Sequence, residues 1–229
     1  DIYERYVQIQ TKSSIDAKTI KVLNPKEVVF EGGRELELDA VSEVPRYYVC
    51  NAYGVCGIYS APGTAVKEAY DTSGIVTNDR GVTVWLKGNR VSRNQIMAIK
   101  EESVTEQKNS LAVCLDNILR HAGITRNTEY DLAQGKTATT ILSENMTGVQ
   151  VLDLSGCTLD AVLYYVNQDI PVLAILEDGE AVLVTGFNEF NVVIMEPATG
   201  KLYKKGMNDA TAWFAENGNH FITYMRTEN

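Results

Sequence analysis

Between Gly179 and Gly200 two apolar runs, Ala181 to Phe187 and Val192 to Met195, flank the turn Asn188-Glu189-Phe190-Asn191. Val, Ile and Thr dominate both runs, and β-branched side chains suit a pleated, packed surface. The pattern predicts a β-hairpin with an Asn-containing loop. Neither run alternates cleanly between apolar and polar residues, so burial on both faces is expected, as at the centre of a sheet. Glu180 precedes the first strand, and Glu196 follows the second, with Pro197 ending the ladder. The open ends of a hairpin are neighbours, so the two carboxylates are expected close together on a rigid element at the edge of a core.

The rest of the chain divides by the same reading. Residues 1–45 form a β-rich arm or linker: Ile20–Leu23 and Glu27–Phe30 read as strands, Gly32-Gly33 as a turn, and Leu36 and Leu38 as a half-buried edge. Residues 46–90 form a small ββαββ unit. Its strands are 46–50, 55–59, 74–77 and 82–85, and its helix carries Ala65, Val66, Ala69 and Tyr70 on one face. Residues 91–108 are polar and read as a linker. In residues 109–229 a helix from Ser110 or Asn109 to Gly123 carries the apolar stripe Leu111, Leu115, Ile118, Leu119 and Ala122. A single more polar helical stretch is expected over 130–142, then a strand over 149–154, a helix over 158–167 and a buried strand over 171–176. After the hairpin come a strand over 201–204, a helix over 208–216 and a last strand over 220–225. The whole reads as an α+β chain.

Composition narrows the partners. The formal charge is −9, with a pI near 4.8. That argues against a nucleic-acid backbone, which requires a basic face, and against attachment to anionic lipid through basic residues. No apolar run approaches the roughly 18 residues of a membrane span. The first residue is Asp1 rather than Met, so the chain reads as processed or excised. The four cysteines, Cys50, Cys56, Cys114 and Cys157, include no CxxC pair. Cys50 and Cys56 face each other across the first hairpin of the small unit, either as a disulfide in an oxidising compartment or as small core hydrophobes.

Two stretches carry resemblances. The segment YYVCNAYGVCGIYS is similar to small viroplasmin-like domains, and the acidic balance of the chain weighs against the nucleic-acid role this would imply. Residues 109–229 resemble the papain-like superfamily, in particular the family-39 bacteriocin-processing cysteine peptidases and similar domains of bacterial surface proteins. The resemblance is carried by LAVCLDNILRHAG with Cys114, by LDAVLYYVNQDIPVLAIL and by GEAVLVTGFNEFNVVIMEPATGKL. It implies a papain-like fold with Cys114 at the nucleophile position, in the first turn of its helix. Glu180 stands where the family has its catalytic His, and Glu196 where it has Asp or Asn. Gln107 is the oxyanion candidate.

A thiol with an ordinary pKa of about 8.5 becomes a nucleophile when a nearby cation stabilises its thiolate. Glu180 in place of imidazolium does the opposite. The expectation is a degenerate peptidase of a secreted or surface protein, extracellular or at the cell surface, that binds a peptide or protein. An active cysteine peptidase using Cys114 is the alternative, and Glu180→His the single change expected to favour activity most. His121, two turns beyond Cys114, is too far to form a dyad, and His220 remains a second candidate base. Cys157 reads as structural. Neither cofactor nor metal is expected, because Glu180, Glu196 and Cys114 make an awkward ligand set.

Overall fold

The computed structural model describes residues 45–54, 56–87 and 109–227, together with the backbone of three short strands between residues 20 and 36. Those strands, β1 (Ile20–Asn24), β2 (Glu27–Phe30) and β3 (Glu35–Leu36), pair antiparallel in that order. Gly32-Gly33, Leu38 and the linker expected at 91–108 lie outside the described residues.

The second sheet holds β4 (Tyr47–Cys50), β5 (Cys56–Tyr59), β6 (Ile75–Asn78) and β7 (Thr83–Leu86) in the order β5-β4-β6-β7, all antiparallel. Helix α1 (Pro62–Thr72) crosses it and buries Ala65, Val66 and Ala69 against it. Pro62 stands in the first turn, where a missing N–H costs nothing. Cys50 and Cys56 lie directly opposite each other and are joined in a disulfide.

The third sheet has six antiparallel strands. They are β8 (Val149–Asp153), β9 (Val172–Ile175), β10 (Ala181–Phe187), β11 (Asn191–Met195), β12 (Leu202–Gly206) and β13 (His220–Arg226), ordered β12-β11-β10-β9-β13-β8. All seven residues of β10 are buried. Two helices, α2 (Ser110–His121) and α5 (Leu159–Val166), pack against it and its neighbour β9. The continuous apolar run thus reflects a strand covered on both faces.

The helix expected over 130–142 is two helices, α3 (Glu129–Ala133) and α4 (Ala138–Asn145). Gly135, at φ +81, turns the chain out of α3, and the Thr137 hydroxyl then caps α4 by accepting from Thr140 N. Helix α6 (Met207–Glu216) begins one residue earlier than expected. Gly206, the neighbour of Met207, stands in its cap position with no side-chain cap.

The second and third sheets share one core. Tyr47, Val49, Val84 and Trp85 belong to the same buried cluster as Leu152, Leu163, Tyr165 and Tyr224. Polar bonds pin the join: Trp85 Nε1 donates to Ala161 O at 3.0 Å, and Tyr165 Oη to Val84 O at 3.0 Å. Gln150 bridges Asn78 and Tyr47. Cys157 Sγ donates to Gly63 O at 3.3 Å, and burial, reinforced by Asp153, pushes that thiol up to about 12. It therefore acts as a tie between α1 and the turn before α5. The sheet of β4 to β7 thus contributes to the same buried cluster as the third sheet.

Candidate functional site

The site expected from the sequence lies where α2 meets the start of β10. The turn from β9 into β10 is made by Leu176-Glu177-Asp178-Gly179-Glu180. Gly179 takes φ +84, a conformation a side chain disfavours. Asp178 Oδ1 accepts from Glu180 N at 2.9 Å, and Leu176 N donates to Glu180 O at 2.8 Å. Glu180 is exposed.

Backbone groups alternate sides along an antiparallel strand. Because Glu180 O faces β9, the Ala181 N–H faces the other way, toward β11. The ladder on that side begins only at Leu183 opposite Met195, and the next residues there are Glu196 and Pro197. The Ala181 N–H is therefore left without a strand partner on a residue that is 1% exposed. The Ser110 hydroxyl takes it, at 2.9 Å. Ser110 is the first residue of α2; the preceding Asn109 caps the helix, its Oδ1 accepting from Leu111 N at 2.9 Å and Ala112 N at 3.3 Å. Of the two residues expected to cap, Asn109 does so, and Ser110 fastens the helix to β10.

Cys114 is not in the first turn, as the resemblance implied. It is the fifth residue of α2 and is 0% exposed. Burial pushes its thiol far above the ordinary range, and the Glu180 carboxylate pushes it further in the same direction. One turn of helix, about 5.4 Å, separates it from the level of Ser110. The sequence held a signal for this. Cys114 stands four residues before Ile118, on the apolar stripe, whereas Ser110 is the polar residue that ends that stripe.

Glu196 is also exposed and occupied with its own turn: Thr199 Oγ1 donates to Glu196 Oε2 at 2.8 Å, and Gly200 N to Glu196 O at 2.8 Å. Glu180 and Glu196 share one end of the β10–β11 hairpin, as expected. They are not opposite each other, since the register carried past Leu183 and Met195 sets Glu180 against Ala198. Gln107 lies outside the described residues.

Neither histidine joins this arrangement. His121 ends α2, where its Nε2 pairs with Asp169 O at 2.8 Å. His220 begins β13 opposite Ile175, which is itself opposite Ala181. Two strand spacings, about 10 Å, thus separate His220 from Ala181. Its ring lies over Gly218, where a Cβ would fall 2.8 Å from Nε2. Among the described residues no three His, Cys, Asp or Glu side chains are grouped to hold a metal ion, and no helix is long and apolar enough to cross a membrane.

No family model matches the chain, and no curated protein matches it. Among solved structures it is similar to a Bacillus anthracis protein described as a C39-like peptidase, with 12% identity and a TM-score of 0.49, over 60% of this chain and 100% of that one. A likeness of that degree decides nothing about the chemistry of this chain.

Proposed function

We propose that residues 109–229 form a peptidase-like domain that does not cleave peptides through Cys114 and serves instead to bind an extended peptide or protein segment. The observation that carries this reading is the state of Cys114: no exposed surface, and a thiol driven toward its neutral form by burial and by Glu180. The resemblance read from the sequence supplies the peptide class of ligand. It puts a carboxylate at the position of the family's imidazole, where it destabilises a thiolate. The residue at the mouth of the helix is Ser110, and its hydroxyl is already engaged with Ala181. The Cys50–Cys56 disulfide supports an oxidising compartment, extracellular or at the cell surface.

The test is hydrolysis of a mixed pool of fluorogenic peptides by the native chain and by Cys114→Ala. Both are expected at the background rate, with equal retention of any peptide that binds. Turnover present in the native chain and lost in Cys114→Ala would establish the alternative, an active cysteine peptidase.

A further inference from the structure

We propose that a cleft at the far end of α2 from Ser110 binds a small organic carboxylate. The cleft encloses about 470 Å³ and is lined by His121, Ile124, Met146, Val149, Tyr224 and Arg226 among others. That volume lies within the roughly 300–1,000 Å³ of small-molecule sites. It opens between the end of α2, the start of β8 and the end of β13, away from Glu180, and does not rest on the reading of Cys114 given above.

The chemistry follows from three polar groups. Arg226 is exposed at the end of β13, and its guanidinium makes no hydrogen bond or ion pair with any described residue. The planar fork of a guanidinium matches a carboxylate in two parallel bonds. Tyr224, two residues earlier and so on the same face of the strand, is 2% exposed, yet its hydroxyl has no partner among the described residues. The residue lines the cleft, so its hydroxyl can donate to a ligand there. Burial raises this phenol, and the Arg226 charge acts against that rise. The third group is His121, held in place by its bond to Asp169 O.

Ile124, Met146 and Val149 add apolar surface to the cleft, Val149 standing directly across from Arg226 on β8. One fixed cation with a neutral phenol suits a singly charged head. A phosphate dianion calls for more positive charge than the cleft supplies.

The test uses hexanoate as the probe and hexanamide as its uncharged counterpart, titrated into the full chain and followed by calorimetry and by backbone amide shifts. Hexanoate is expected to saturate one site, shifting the amides of residues 146–149 and 224–226, with hexanamide at least tenfold weaker. Arg226→Gln is expected to weaken hexanoate about tenfold or more and to leave hexanamide unchanged. Tyr224→Phe, which keeps the ring, is expected to weaken hexanoate several-fold. Equal affinity for hexanoate and hexanamide, undiminished binding in Arg226→Gln, or no saturation at all would overturn the proposal. Inorganic phosphate displacing hexanoate more effectively than acetate does would also overturn it, in favour of a phosphate site.

Discussion

Ser110→Ala removes one oxygen and leaves the Ala181 N–H, on a 1% exposed residue, without an acceptor. An orphaned buried donor costs about 1–3 kcal/mol. Alanine at the first helical position returns about 0.5 kcal/mol through helix propensity. The net loss is then about 0.5–2.5 kcal/mol. At about 2–4 °C per kcal/mol for a domain of this size, the Tm is expected to fall by about 1–10 °C. Calorimetry gives the global figure. Hydrogen exchange at the Ala181 amide gives the local one, expected to quicken about tenfold, because the change lies at the junction of α2 and β10 rather than throughout the core. An unchanged Tm together with unchanged exchange at Ala181 would refute the argument that Ser110 holds the helix to the strand.

Other outcomes follow from the same geometry. Trp85→Phe, which deletes the donor to Ala161 O, is expected to lower stability by about 1–3 kcal/mol. In calorimetry both it and the native chain should melt residues 46–87 and 109–227 in a single transition, whereas two separated transitions would contradict the shared core. Asp131 accepts bonds from Arg126 and Lys136, which hold its carboxyl below the usual range. A depressed folded-state pKa contributes stability above the unfolded value near 3.9, and that contribution is lost as pH falls through the folded value. Asp131→Asn should therefore be less stable than the native chain at pH 7, with the gap closing as acid denaturation proceeds; a gap that stays constant from pH 7 to 2 would contradict this assignment. Glu180→His, which the sequence singled out as the change most favourable to activity, is now expected to leave Cys114 unreactive, because Cys114 is fully buried and a cation at the surface does not open a path to its thiol. Faster alkylation of Cys114 in that variant would contradict the burial argument.

The elements most legible in the sequence were those with dense, unbroken patterns. The run Ala181–Phe187 announced a doubly covered strand because no polar residue interrupts it apart from Thr185, whose hydroxyl donates to Val193 O. The stripe of α2 and its Asn109 cap were equally plain. The break between α3 and α4 was less so, because Gly135 and Thr137 make it through backbone conformation and capping rather than through a change in hydrophobicity. The join between the second and third sheets was hidden for a different reason. It is built from single polar bonds such as Trp85 to Ala161 and Gln150 to Tyr47, between residues far apart in sequence. At the candidate site the sequence pattern placed Glu180 and Glu196 at one end of the β10–β11 hairpin and Cys114 on α2, where the structure has them. The depth of Cys114 along the helix was less legible, because it turns on burial against the rest of the fold rather than on the local sequence.

The account stands or falls on whether the Cys114 thiol can be reached. The direct measurement is alkylation by iodoacetamide of the folded chain at pH 7–8, with peptide mass mapping to assign the site, beside the same reaction in 6 M guanidinium. Cys114 is expected to remain unlabelled when folded, on a timescale set by unfolding, and to label fully when unfolded. Labelling of folded Cys114 as fast as a free thiol, or faster below pH 7, would show an accessible or activated nucleophile and contradict the reading of this domain as a peptidase-like fold that does not act through Cys114.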